Sequence, residues 1–498
     1  MAGIDRRRFL GLGIAATAGA VGASAFGASG AAFAAVQAGD VPYGPLGPAD
    51  ANGIQLPEGF RARELARGDM PVAGTDYVWP VFPDGGATFP ARGGGWIYVA
   101  NSEHPGAGAG GVSALRFSSR GELVDAYRIL GGTQTNCAGG ATPWRTWLSG
   151  EEHPQGQLWE CDPTGKRPGR ALPALGRFEH EAAAVDPKGR HVYLTEDVSD
   201  GRFYRFAPKQ YPRLDAGTLE VAVVADNGSV TWRAVPDPGA ASTPTREQVV
   251  ESTPFDGGEG IAYQRGSVYF TTKGDDRVWG YDTRRKRVRV LYDGRATPES
   301  PLHGVDNVTI TPTGGVLVAE DHGNDNLELV VLTREGRTTP LLRVTGQAGS
   351  ELAGPAFSPD GSRLYFSSQR GGGGAGITYE VTGPFRRVEE RGAVRRQCAA
   401  DGLGQSRRRA GAGGSRRHAG VAHPEPPLTW PNQICARGAR HTDRRLWREP
   451  HDVVLRRSVR VHRSRRLRLA PRRTVHGRWM CAESNSSCRW WKSKCCVG

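Results

Sequence analysis

Cysteine is almost missing from the first 385 residues of this 498-residue chain: only Cys137 and Cys161 lie there, against six in the remainder. Two thiols in that length do not make a disulfide framework. Apolar runs are equally scarce. Beyond the first 34 residues no stretch is long and apolar enough to span a bilayer, so no stable membrane anchor is expected. Long helices have little room either, because 70 glycines and 34 prolines punctuate the chain and favour turns between short strands. A chain of this length could hold two or three domains, but all-β folds often use roughly 250 residues as one.

The formal net charge of +14 joins two unlike parts. Residues 386–498 carry 28 Lys+Arg against 8 Asp+Glu, whereas residues 1–385 carry 37 against 43. The body is acidic and the tail basic. Lysine is nearly absent from the tail, which holds 26 arginines and two lysines. Arginine runs and Trp490-Trp491 would suit a nucleic-acid arm, but Cys481, Cys488, Cys495 and Cys496 lack zinc-site spacing. The abrupt switch in composition points instead to out-of-frame translation of GC-rich coding sequence, with a genuine extension as the alternative. An exported protein rarely meets nucleic acid, and none is expected as a partner.

Export is written at the other end. Arg6-Arg7-Arg8-Phe9-Leu10 places a twin arginine before an uncharged Ala/Gly-rich run, and Ala32-Phe33-Ala34 supplies small residues before a cut at Ala35. Residues 1–34 therefore read as a twin-arginine signal peptide handed to that export machinery, residues 35–385 as the folded body, and residues 386–498 as an Arg-rich, disordered or out-of-frame tail. The expected location is extracellular or in the cell envelope. The route carries folded proteins, so a metal or cofactor could be inserted before export.

Within the body one hairpin recurs. "FEHEAAAVDPKGRHVYLTED" (Phe178 to Asp197) runs from acid through an apolar strand, a turn and a second strand to another acid. The pattern returns in "GEGIAYQRGSVYFTTKGDDRVWGYD", "GVDNVTITPTGGVLVAEDHGNDNLELVVLT" and "ELAGPAFSPDGSRLYFSSQRGGGGAGITYEV", and in part in two earlier stretches around Glu103 and Glu151. Glu259 to Asp306 is 47 residues and Asp306 to Glu351 is 45. Six units with a period in the forties predict an all-β, six-bladed β-propeller, the sixth unit finishing at "ITYEVTGPF". A β-sandwich would explain the alternation and the turns, but not a fixed period with acids in phase.

At about 3.3 Å per residue, a hairpin with equal arms returns its end beside its start. If each first strand lines the central channel, the acids converge on one mouth, where like charges are costly unless cations neutralise them. Hard oxygen ligands suit calcium. The candidate metal ligands are Glu103, Glu151, Glu152, Glu181, Glu259, Asp306, Asn307 and Glu320. Cys137, in "TNCAGGATPWRTWLSGEE", has three readings: a small buried core residue, a disulfide partner of Cys161, or a thiolate ligand that would favour a transition metal.

"TNCAGGATPWRTWLSGEE", "GRFEHEAAAVDP…VYLTED…GRFYRF", "VDNVTITPTGGVLVAED" and "GPAFSPDGSRLYFSSQ" resemble the PhoX-type alkaline phosphatase family, over roughly 53–385. The resemblance implies a six-bladed propeller, exported by the twin-arginine route, that hydrolyses phosphate monoesters with a calcium and iron cluster at the channel mouth. It implies Cys137 as an iron ligand and Glu103, Glu151, Glu152, Glu181, Glu259 and Asp306 as iron or calcium ligands, with Asn307 and Glu320 beside them. No side chain is implied as nucleophile; a metal-bound oxide or hydroxide is. One departure stands out. Where the family carries Arg-Pro-Glu, with the arginine clamping phosphate, this chain reads Gly257-Gly258-Glu259. Arg145 and Lys273 are the candidate replacements for binding a small phosphorylated substrate, with Arg370 a third. The alternatives are a calcium-dependent lactonase-type hydrolase and a non-catalytic, metal-stabilised binding propeller.

Overall fold

The computed structural model describes residues 43–333 and 336–385. The predicted signal peptide and the basic tail lie outside the described residues.

The fold is a six-bladed β-propeller, and no α-helix occurs among the described residues. Each blade is an antiparallel meander whose first strand lies innermost. Blade 1 comprises Pro83–Pro90, Trp96–Ser102, Gly110–Phe117 and Leu123–Thr133; blade 2 comprises Asn136–Ala141, Trp147–Glu151, Leu158–Cys161 and Arg170–Ala171. Blade 3 runs His180–Asp186, His191–Glu196, Tyr204–Gln210, Arg213–Val224 and Val230–Ala234. Blade 4 is Gly258–Gln264, Ser267–Thr272, Arg277–Asp282 and Arg287–Asp293. In blade 5, Val305–Ile310, Val316–Glu320, Asn326–Leu332 and Thr338–Thr345 are joined at the outer edge by Ile54–Gln55. The innermost strands touch in sequence around a ring, the sixth returning to the first.

Closure draws on both ends of the body. Among the described residues, three strands of blade 6 follow blade 5, Leu352–Phe357, Arg363–Ser368 and Ile377–Thr382, so the sixth unit finishes at the stretch the sequence marked. The fourth is Arg61–Arg67, which pairs with Ile377–Thr382 from Arg61↔Thr382 to Arg67↔Ile377. A sheet completed from both ends leaves no unpaired edge at the seam.

The core is divided as the blades are. Six apolar clusters occupy the six blade interfaces, for example Leu317, Leu329 and Leu342 against Leu352 and Phe366, or Tyr193 and Phe203 against Phe270. A strand packed on both faces need not alternate, and Trp96–Ser102 is buried throughout.

The innermost strands carry the feature that builds the site. In blade 1 the register steps from Pro83↔Ser102 to Gly86↔Ala100, so Asp84 and Gly85 together face Asn101. The same one-residue bulge recurs at Cys137-Ala138, Glu181-Ala182, Glu259-Gly260 and Asp306-Asn307, and one pair later in blade 6 at Gly354-Pro355. A bulge re-aims a side chain; here it places the first residue of each pair in one ring. In blades 1 and 4 the second residue has no room for a side chain. A Cβ on Gly85 would lie 2.4 Å from Ala138 Cα, and one on Gly260 would lie 2.4 Å from Val308 N. Side chains opposite the bulges fasten one blade to the next. Asn101 Nδ2 donates to Cys137 O and Ala138 O, Thr195 Oγ1 to Glu259 O, and Thr271 Oγ1 to Asp306 O.

Candidate metal centre

Two concentric sets of residues meet at the mouth. The inner ring is Asp84, Cys137, Glu181, Glu259 and Asp306, one from each of blades 1 to 5; Gly354 of blade 6 brings no side chain. The rim is the residue that follows each second strand: Glu103, Glu152, Asp197, Lys273, Asp321 and Gln369. Each is set by a backbone bond to the approach of its own blade's first strand, as Glu152 N donates to Thr135 O at 2.8 Å and Asp321 N to Gly304 O at 2.8 Å. Glu351, on the approach to blade 6, adds one more carboxylate.

Four groups of three have ligand atoms within 4.8 Å of one another: Asp84, Glu103 and Cys137; Cys137, Glu152 and Glu181; Glu181, Glu259 and Asp306; Asp306, Asp321 and Glu351. Cys137, Glu181 and Asp306 each belong to two groups, so the four form one continuous arc.

The electrostatics are unbalanced. Glu181 is fully buried, and among the described residues no N–H or O–H donor pairs with either carboxylate oxygen; the weakly donating Cys137 thiol alone stands beside it. Burial, then Asp306, Glu152 and Asp84, pushes its carboxyl well above the usual range. Glu259 is raised by burial and by Asp197 and Asp306, against the lowering pull of Lys273. Glu152 is raised by burial and by Glu103 and Asp197, and Asp84 by burial, Glu103 and Asp306. Burial, Asp84 and Glu181 push the Cys137 thiol up. Such an array is stable with charged acids only if cations enter it. The oxygen donors fit calcium-like ions, and the sulfur fits a softer metal at its end of the arc.

The structure brings Glu103, Cys137, Glu152, Glu181, Glu259 and Asp306 together as expected ligand positions. It separates Glu151 and Glu320 from them. Both lie one residue before the rim, and one residue in a strand reverses the side chain. Glu151 accepts from Trp159 Nε1 at 3.0 Å and Gln134 N at 3.2 Å. Glu320 accepts from His303 N and Glu328 N, both at 2.8 Å. These acids, like Glu196 with Tyr204 Oη at 2.8 Å, tie down their own blades. Asn307 holds its neighbours: Nδ2 donates to Asp306 Oδ1 at 2.7 Å, and Oδ1 accepts from Gly354 N at 2.9 Å.

Arg145 is misplaced for a mouth residue. It is exposed in the turn that joins Asn136–Ala141 to Trp147–Glu151, at the opposite end of that hairpin from Cys137. Lys273 is inside the cluster, its Nζ 2.6 Å from Glu259 Oε1, 3.2 Å from Asp321 Oδ2 and 3.3 Å from Asp306 Oδ2. Arg370 reaches the same sector, with Nη1 3.0 Å from Glu351 Oε2. Cys137 and Cys161 are both free and buried; Cys161 packs in the interface between blades 1 and 2, so the disulfide alternative falls away. Asp84, Asp197, Asp321 and Glu351 were missed. Asp84-Gly85 and Asp321 carried a usable signal, because each stands in phase with the bulge or rim residues of the other units.

Exchanging sulfur for a harder oxygen tests the soft end of the arc. Cys137→Ser is expected to lower bound iron severalfold and leave calcium unchanged, measured by elemental analysis of the purified protein. Equal iron in both proteins would remove this thiol from the centre.

The family model described as alkaline phosphatase PhoX matches residues 106–172, 153–290 and 280–372. Among solved structures, Pseudomonas fluorescens PhoX in complex with vanadate, a transition state analogue, aligns with a TM-score of 0.57 at 17% identity, covering 68% of this chain and 97% of that one. A gluconolactonase from Xanthomonas campestris aligns at a TM-score of 0.39 and 13% identity, over 69% of this chain and 99% of its own. No curated protein matches. The structural likeness is one of fold, but the matched segments run through the bulges and rims of blades 2 to 5 and cover more than half of the chain: it belongs to the alkaline phosphatase PhoX family.

Proposed function

We propose that this protein is an exported, metal-dependent hydrolase of phosphate monoesters, with calcium and iron held at the propeller mouth. The observation that carries the reading is Glu181, buried at the centre of an acid arc with no N–H or O–H donor on either oxygen among the described residues. Glu152, Glu181, Glu259, Asp306, Asp321 and Glu351 would hold hard cations, while Cys137 with Asp84 and Glu103 would hold the softer one. Bound metal ions would supply charge neutralisation for a phosphoryl group and lower the pKa of a bound water.

The chain's own part is to position the substrate. Gly257, where the family resemblance would place the clamping arginine, has φ +66, a conformation that favours glycine. Arg370 is the best replacement. A guanidinium has five N–H donors in a fork matched to phosphate, and Glu351 engages one of them among the described residues. Its side chain is 40% exposed at the mouth.

The test is turnover of p-nitrophenyl phosphate by the full chain, with calcium and iron, beside elemental analysis. Turnover that a chelator abolishes is expected. Bound metal without turnover would favour the binding propeller, and cleavage of a lactone instead would favour the other hydrolase. Arg370→Ala is expected to lower kcat/KM by roughly 10²-fold with metal content unchanged; an unaltered kcat/KM would assign the clamp elsewhere.

A further inference from the structure

Two of the four ligand groups are built to one rule. In the step from blade 1 to blade 2, the group is one inner-ring residue, the rim residue of the same blade, and the next inner-ring residue: Asp84, Glu103, Cys137. The step from blade 2 to blade 3 is built identically, from Cys137, Glu152 and Glu181. Applied to the step from blade 4 to blade 5, the rule selects Glu259, Lys273 and Asp306. The rim member there is an ammonium, not an oxygen. Its Nζ is 2.6 Å from Glu259 Oε1 and 3.3 Å from Asp306 Oδ2, between the two inner-ring carboxylates that a cation would otherwise bridge. Asp321, the rim residue of blade 5, closes the shell at 3.2 Å.

We propose that the Lys273 ammonium is a built-in cation that takes the place of a divalent metal ion at the step from blade 4 to blade 5, so that this chain binds one ion fewer than its ring geometry allows. The inference rests on the metal-binding reading above. An ammonium has three N–H donors, and three carboxylates surround this one within 3.3 Å. Asp306 and Asp321 each accept one of these hydrogen bonds and Glu259 Oε1 stands 2.6 Å away as an ion pair, so the ammonium is engaged by carboxylates, which separates this role from that of Arg370. A fixed cation also keeps Glu259 and Asp306 adjacent when metal is absent, because burial alone would drive them apart.

Restoring an oxygen at the rim should complete the site. Lys273→Asp in the full chain, loaded with excess calcium and then desalted, is expected to retain one more calcium ion per chain than the unaltered protein by elemental analysis. A metal-free unaltered protein would defeat the metal-binding reading; a loaded one with no gain in the variant would defeat this inference alone. A second measurement needs no substitution. In the unaltered protein, acetylation of Lys273 followed by peptide mass spectrometry is expected to be at least tenfold slower than that of exposed Lys209, with or without calcium. Equal rates after calcium loading would show that metal displaces the ammonium, and would overturn the proposal.

Discussion

In chelator, the protein is expected to melt at a higher temperature at pH 5 than at pH 8, and saturating calcium is expected to reverse that order. Burial and neighbouring acids raise the carboxyls of Glu181, Glu259, Glu152, Asp84 and Glu351 in the folded state. An unfolded chain releases those protons above its ordinary carboxylate range, near pH 4.5. The native state therefore holds more protons, and its stability falls as pH rises from that value towards the folded pKa values. One proton retained by the cluster from pH 5 to pH 8 corresponds to about 4 kcal/mol, or roughly 6 °C for a domain of this size. Lys273 is charged at both pH values and does not contribute to the difference: burial opposes its charge, but Glu259, Asp306 and Asp321 outweigh it and raise its pKa. Calcium requires the deprotonated acids, so its stabilisation grows with pH, by about 4 kcal/mol per site at a thousandfold excess over Kd. Differential scanning calorimetry at the two pH values, with and without calcium, reads both signs. A chelated protein that is more stable at pH 8 would contradict the crowding of acids at the mouth.

The second large effect has opposite signs in the two states of the protein. Glu181→Gln is expected to lower kcat/KM by roughly 10²–10³-fold and to lose metal from both groups that share the residue. In chelator at pH 8 the same variant is expected to be more stable than the unaltered protein by about 1–3 kcal/mol, because a neutral amide needs neither the buried charge nor the retained proton that the acid must carry there. A merely structural acid behaves otherwise. Glu320→Gln removes a carboxylate that accepts two backbone N–H groups, and serves as the control in which stability falls with and without metal. Metal analysis and thermal melts in both states separate the two cases. A Glu181→Gln protein that melts lower in chelator would make that residue a support, not a ligand.

Where sequence and structure part company, the distance is one residue. Glu151-Glu152 and Glu320-Asp321 are adjacent acid pairs, and the expected site took in Glu151, Glu152 and Glu320 but not Asp321. In a strand, neighbours face opposite sides, so one acid of each pair enters the channel mouth and the other bonds within its blade. Which is which depends on where the last paired residue falls, and the bulge sets that. Arg145 failed for the converse reason: it lies close to Cys137 in sequence but at the far end of a hairpin.

The sequence by itself determined the six-fold period, the all-β class, the phased acids and the family resemblance. Each is a local or repeating property, carried by turn residues, strand alternation and spacing. Only the tertiary structure decided which acids meet, that Arg61–Arg67 completes the sixth blade, that Cys161 is structural, and that Lys273 stands among three carboxylates. These depend on contacts between segments tens to hundreds of residues apart. A bulge that shifts register by one residue changes those contacts, yet leaves the period of the sequence almost untouched.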